Sequence, residues 1–400
     1  MQNIIIEKPY RFVPPSRSVA WAKVLGRLIL RRYLDKSQGL VAVKLLGVDR
    51  LRASVEAGHG IMLTPNHCRP SDPMAIMMYL GREVGRPLYT MASWHLFMRS
   101  RFETWILRHM GVFSVYREGM DREALKCAVQ ILAEAQRPLV VFPEGVISRT
   151  NDRVNHLMEG VAFMARTAAK QRAGATPPGK VVIHPVAIRY FFDGDIAATL
   201  APVLERIERR LSWRPWHDGA LPDRIYKIGE ALLTLKEIEY FGAPRAGELR
   251  TRLQGLIGHL LVPLEVEWLK EPKAGSVVTR VKNLRAVMLP ELVSGELDER
   301  QRGDRWRQLA DLYLAQQLFF YPPDYFKPEP TPEKMLETVE RFEEDLTDAA
   351  TIHRPVRAVL CVGEAIEVGA ARERGGEGDP VMQRVRSQLE SMLEDLRRER

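Results

Sequence analysis

Between residues 40 and 192, short apolar runs that read as strands alternate with segments of helical period. That alternation leaves few folds open. "VAVKLLGV", "GIMLTP", "RPLYTMAS", "VFSVYR", "RPLVVFPEG" and "VVIHPVAIRYFF" read as strands. "PMAIMMYLG", closed by Gly81, and "HLFMRSRFETWILRHMG", ending at Gly111, read as helices. So do "DREALKCAVQILAEAQ", with an acidic first turn, and "LMEGVAFMARTAAKQR". The order predicts an α/β fold, a mostly parallel sheet covered by helices on both faces.

Beyond residue 200 the pattern loosens. Residues 200–224 read as a charged helix and a loop, and "IYKIGEALLTL" as a further strand. Residues 247–270 and 277–320 read as mostly helical, "FYPPDYFKPEPTPE" as a Pro-rich connector, and "EKMLETVERFEEDL" as a helix. A last strand, "VRAVLCVGEAIEV", a glycine-rich acidic loop and a charged helix follow. The expected division is a basic amphipathic N-terminal segment over 1–44, an α/β core over 45–265, and an added, mainly helical C-terminal region over 266–400 with a terminal strand–helix unit. Gly-Glu-Ala recurs at 229–231 and 363–365, by chance or through partial duplication of a strand–helix unit.

Net charge is +8, which points to an anionic partner or to a merely solvated surface. No zinc finger, RRM signature or basic zipper is present, so nucleic acid is not the expected partner. Cys68, Cys127 and Cys361 have neither metal-ligand spacing nor a disulfide framework, which predicts a reducing compartment. No apolar run approaches the roughly 20 residues that span a bilayer, and no signal peptide is visible. The expectation is a cytoplasmic protein, peripheral on the inner face of a membrane. Residues 19–35 predict a basic amphipathic helix, with Trp21, Val24, Leu25, Leu28 and Ile29 at helical spacing beside Lys23, Arg27, Arg31 and Arg32. Such a helix suits an anionic membrane surface with Trp21 at the headgroups, or packs on the protein's own core.

The stretch "TPNHCRPSDP" (64–73) joins a strand to a helix. Pro73 suits the first helical position, which makes Asp72 the expected N-cap. His67 then lies beyond the C-terminal end of a strand, where parallel sheets bind ligands. A neutral His67 imidazole can take a proton from a hydroxyl attacking a carbonyl. Asp72, bonded to the other ring nitrogen, would hold the tautomer. No GxSxG elbow is present, so the hydroxyl would be the substrate's own. Spacing alone leaves capping and catalysis both standing.

Asn66-His67, four residues and Asp72 resemble the NHx4D box of the glycerolipid acyltransferases, the lysophosphatidate (1-acylglycerol-3-phosphate) type among them. Further boxes stand in the family's order. They are Gly111 with Arg117 six positions on, Phe142-Pro143-Glu144-Gly145, and His184-Pro185-Val186-Ala187-Ile188. The resemblance covers about residues 40–190. It implies transfer of a fatty acyl group from acyl-CoA or acyl carrier protein to a lysoglycerolipid hydroxyl in phospholipid biosynthesis. His67 would be the general base and Asp72 its orienting partner, with no metal or bound cofactor. Asn66, Arg117, Glu144, Gly145, Ser148 and Arg149 would shape or bind the acceptor, Arg117 through its phosphate.

The sequence departs from that pattern at Val146-Ile147, where threonine and arginine usually follow the glycine, and at Ser93 and Tyr116. Arg149 and Ser148 are candidate substitutes for the missing groups. Losing cationic groups favours an acceptor without a phosphomonoester as the alternative. A non-catalytic membrane lipid-binding protein is a third reading. "PMAIMMYL" and "SWHLFMRSRFETWIL" are candidate linings for an acyl-chain groove, or ordinary core.

Overall fold

The computed structural model describes residues 7–212, 215–216, 219–322, 324–326, 329–371 and 378–399, with Arg27 described by its backbone alone. The Arg27 side chain of the basic helix, most of the glycine-rich acidic loop, and parts of the 200–224 loop and the Pro-rich connector lie outside the described residues. In chain order the structure begins with α1 (Val19–Leu25), a π turn (Gly26–Leu30), α2 (Arg31–Gln38), β1 (Leu40–Leu46), α3 (Val48–Glu56), β2 (Gly60–Pro65) and α4 (Asp72–Glu83). Then come β3 (Tyr89–Ser93), a 3-10 turn (Trp94–Met98), α5 (Arg101–His109), β4 (Val112–Val115), α6 (Arg122–Glu134), β5 (Leu139–Val140), α7 (Gly160–Ala173) and β6 (Val181–Phe192). Six helices follow: α8 (Ile196–Leu211), α9 (Leu221–Phe241), α10 (Leu249–Leu269), α11 (Val277–Ser294), α12 (Glu299–Phe319) and α13 (Pro332–Thr347). The chain closes with β7 (Val356–Val362), β8 (Ile366–Glu367) and α14 (Pro380–Asp395).

Residues Tyr10–Asp193 and Ile352–Arg400 form one compact unit around the sheet. Strand order is β1-β7-β6-β2-β5-β3-β4, with β8 on β6. β2 pairs in parallel with β5 and β6, and β3 in parallel with β4 and β5. β7 is parallel to β1 but antiparallel to β6. Every residue of β2 and of the long β6 is buried, so both faces are covered. Met62 and Ile183 share a core with α6, α7 and α14, while α3 and α4 lie against β7 and β1. This is the predicted α/β architecture.

Several boundaries differ from the sequence reading. The last strand returns to the main sheet beside β6, so residues 352–400 join the α/β unit and leave the helical region. The units divide at 193/194 and 351/352 instead of the expected 265/266. "IYKIGEALLTL" lies inside α9; its buried residues Ile225, Ile228 and Leu233 follow helical spacing after Pro222 in the first turn. Gly229 is therefore helical while Gly363 follows a strand, and the Gly-Glu-Ala echo marks no common structural unit. The expected single helix over 95–111 is broken at Ser100, whose side chain caps α5 by accepting from Glu103 N. The apolar run through Val48 divides at Gly47, and α3 begins there.

The second unit is Met1–Pro9 with Gly194–Thr351, described from Glu7 onward. Its core is built by Leu256, Leu261, Leu284, Met288 and Leu312 from α10, α11 and α12. A true repeat is visible here. "EIEYFGAPRAGELRTR" (237–252) and "EVEWLKEPKAGSVVTR" (265–280) each span a helix end, a loop and the next helix. Buried Glu237 accepts from Arg252 at 2.9 and 2.8 Å, and buried Glu265 from Arg280 at 2.7 and 2.8 Å. Each glutamate also accepts from a loop N–H, of Arg245 or Lys273. Glu208, Trp216 and Arg224 repeat the arrangement one hairpin earlier.

Candidate active site

The site forms where β2 and β5 end. Pro65 supplies no N–H, and β2 can extend no further in the ordinary way. The Asn66 carboxamide continues the ladder instead. Its Oδ1 accepts from Ile188 N at 2.7 Å and its Nδ2 donates to Ile188 O at 3.0 Å. Two residues along β6, Asn151 does the same to Tyr190 N and O, at 2.6 and 2.7 Å. The two side chains thus serve as peptide groups for the part of β6 that outruns β2. Asn66 was a candidate acceptor ligand. The structure places it fully buried, with its carboxamide spent on Ile188.

His67 follows, and the loop after β5 holds its backbone on both sides. Its N–H donates to Glu144 Oε1 at 2.9 Å. Its carbonyl accepts from Ser148 N at 2.8 Å and Ser148 Oγ at 3.0 Å. The ring rests on Phe142, with centroids 4.1 Å apart. Nδ1 lies 2.9 Å from Asp72 Oδ2, and the His67 side chain retains 13% exposure.

Asp72 does not cap α4. Ser71 holds the cap position, and Asp72 is the first helical residue. Its carboxylate turns back over the preceding loop, where Oδ2 also accepts from Cys68 N at 2.8 Å and Arg69 N at 2.9 Å. Oδ1 accepts from the Tyr190 hydroxyl at 2.7 Å, and Ser71 Oγ lies 2.9 Å from that hydroxyl. Pro73 explains the reversal: a helix opening with proline has one fewer N–H to satisfy, while the tight turn before it presents two. Burial, then the charge of Asp72, pushes the Tyr190 hydroxyl well above its usual pKa, so it stays a donor.

Glu144 is buried, and burial pushes its pKa up to about 7 against bonds from Asn155 and His67 N. Asn155 Nδ2 donates to Glu144 Oε2 at 2.7 Å. Gly145 takes a φ of 71°, which favours glycine, and its carbonyl accepts from Arg117 Nη1 at 2.8 Å. Among the described residues Nη1 is the only nitrogen of that guanidinium with a partner; Nε is buried and unbonded. Burial lowers the Arg117 pKa. His95 stands nearby, its Nδ1 2.9 Å from Ser93 Oγ. Burial, then Arg117 and Arg99, bring its pKa down to about 4, so this imidazole is neutral at pH 7. Arg149 lies in the same loop in the left-handed conformation, φ 53°. Val146 is half-buried and Ile147 exposed.

The structure therefore brings His67, Asp72, Glu144 and Ser148 together, with Arg117 joined through Gly145. Tyr190, Asn151, Asn155 and Phe142 complete the arrangement. Of these, only Phe142 falls within one of the ordered sequence boxes. Tyr190 had one available signal, a hydroxyl within the long, mostly apolar strand that also carries His184 and Arg189. Asn155 had none. Among the described residues no group of three or more His, Cys, Asp or Glu side chains could hold a metal ion. Chemically, an imidazole whose Nε2 has no partner among the described residues, a carboxylate fixed by four donors, and an arginine whose Nε is likewise unbonded among them can together deprotonate a hydroxyl beside an anion.

Residues 46–189 match the family model described as Acyltransferase, less than half of the chain. No curated protein matches it. The matched stretch runs from the last residue of β1 into β6, ends one residue before Tyr190, and holds all eight predicted site residues. It supports acyl transfer as the general activity.

Proposed function

We propose that this protein transfers a fatty acyl group from a thioester, acyl-CoA or acyl carrier protein, to a hydroxyl of a lysoglycerolipid of the lysophosphatidate type, in phospholipid biosynthesis. The observation that carries this reading is the His67 Nδ1–Asp72 Oδ2 contact of 2.9 Å, inside the stretch that matches an acyltransferase. Asp72 keeps the proton on Nδ1 and leaves Nε2 basic. Nε2 takes the acceptor's hydroxyl proton as that oxygen attacks the thioester carbonyl. The tetrahedral intermediate collapses, the C–S bond breaks, and the imidazolium returns the proton to the departing thiolate. No acyl-enzyme forms. The unbonded donors of Arg117 hold the acceptor's phosphate. Glu144 and Ser148 fix the His67 backbone. The work is done by a peripheral protein on the cytoplasmic face of a membrane; no helix among the described residues is long and apolar enough to cross one.

The test is purified protein with labelled acyl-CoA and a panel of lysolipids, read by mass spectrometry. His67→Ala is expected to stay folded and lose transfer by about 10²–10⁴-fold. Undiminished transfer in that variant overturns the mechanism, and no turnover of any pair leaves a lipid-binding protein. A second reading, an acceptor without a phosphomonoester, is favoured by apolar Val146-Ile147 and by neutral His95 beside Arg117. Preference for such acceptors in the same panel would select it.

A further inference from the structure

The N-terminal helix and α5 carry apolar side chains that the fold does not bury. On the first, Ala22, Leu25, Leu30 and Leu34 are buried in the protein, which accounts for one stripe. Trp21, Val24 and Leu28 form a second stripe at i, i+3 and i+7, and Leu28 is 70% exposed. On α5 no residue is buried at all, and Phe102 is 69% exposed. The aromatic segment that the sequence offered as groove lining thus divides. Trp94 and Phe97 enter the core, while Met98, Phe102 and Trp105 face outward.

These are not scattered residues. Trp21 meets Trp105 edge-on at 5.3 Å, and Trp105 lies parallel to Phe102 at 6.4 Å. One continuous aromatic face therefore runs across both helices. Single exposed hydrophobics are ordinary, but a contiguous group of large ones marks an interaction surface. Lys23, Arg31, Arg32, Arg99 and Arg101 are exposed on or beside the same helices, against Glu103 on α5. Tryptophan beside leucine and phenylalanine with a basic rim matches the interface of an anionic bilayer, where indoles sit at headgroup depth and guanidiniums meet phosphates. A second copy of this chain would bring like charges together.

We propose that Trp21, Val24 and Leu28 with Met98, Phe102 and Trp105 form the face on which this protein docks to an anionic lipid bilayer. This deepens the reading of acyl transfer at a membrane and locates the contact. The test is co-sedimentation of the full chain with vesicles of phosphatidylglycerol and phosphatidylcholine in equal parts, and with pure phosphatidylcholine. Binding is expected to the mixed vesicles, to weaken as salt rises, and to fall by roughly tenfold or more for each of Leu28→Asp and Phe102→Asp. Circular dichroism checks the fold, and Leu28→Ser with Phe102→Ser replaces them if the aspartates disturb it. Unchanged binding of the folded variants overturns the proposal, as does equal binding to neutral vesicles. A dimer abolished by the same substitutions, with no vesicle binding, overturns it in favour of a second copy. Transfer to a detergent-dispersed lysolipid separates the two readings. Vesicle binding without any turnover removes the enzymatic reading alone, and turnover without vesicle binding removes the docking face alone.

Discussion

The hydroxyl of Tyr190 donates to one oxygen of Asp72 at 2.7 Å while the other oxygen lies 2.9 Å from His67 Nδ1. On the proposed mechanism Tyr190 is a positioning residue that acts on His67 through the carboxylate. Tyr190→Phe is expected to keep the fold and to lower kcat roughly tenfold, the worth of a hydrogen bond to a charged group. KM for both substrates should stay unchanged, because the hydroxyl acts on Asp72. A rise in KM that matches the loss, or a variant shown by circular dichroism to be unfolded, would make Tyr190 merely structural.

Asp72 has a structural duty that is separable from the role proposed for it in acyl transfer. Asp72→Ala leaves the buried N–H groups of Cys68 and Arg69 without their acceptor, at a cost of about 1–3 kcal/mol each. Asp72→Asn keeps one oxygen. Both variants should lose acyl transfer, but denaturant unfolding should find Asp72→Asn the more stable.

Asn66→Ala and Asn151→Ala each strip a buried N–H and C=O of β6 of their partners. Each is expected to destabilise by roughly 2–4 kcal/mol, seen in the denaturation midpoint. Asn66→Asp should be no milder, because its second oxygen would face the Ile188 carbonyl.

Glu144 sets a pH dependence of stability. Its carboxyl is raised from the ordinary 4.5 to about 7 by burial. Between those values the folded state binds a proton that the unfolded chain has released, so stability falls as pH rises through that window, by at most roughly 3 kcal/mol. Unfolding from pH 4.5 to 8 should show this decline in the parent protein and a flatter curve in Glu144→Gln.

In the helical unit, Arg252→Ala leaves Glu237 buried without its two charge-assisted bonds. A loss of about 3–5 kcal/mol is expected in that unit's unfolding. The double variant Arg252→Met with Glu237→Leu should recover most of it, since an apolar pair of similar volume has no charge to desolvate.

Much of this was legible in the chain. Strand and helix periods gave the sheet and nearly every helix, because burial on one or two faces writes itself into local sequence. The ordered boxes named His67, Asp72, Arg117 and Glu144. "IYKIGEALLTL" misled because a short apolar run fits both periods. α9 is decided by neighbours along the helical repeat, and that repeat rests on Glu–Arg pairs that only a hairpin brings together.

The sequence by itself determined the α/β class, the placing of His67 and Asp72 beyond a strand end, and the apolar departure at Val146-Ile147. Tertiary structure decided what those residues touch. It turned the Asp72 carboxylate from a helix cap to a loop clamp, and it spent Asn66 and Ser148 on backbone. It brought Tyr190 onto Asp72 across 118 residues of chain, and it turned Phe102 and Trp105 outward while burying Trp94 and Phe97. Local sequence encodes which groups a segment must bury or bond. Partners distant in the chain are chosen by how the segments pack, and no local period records that choice.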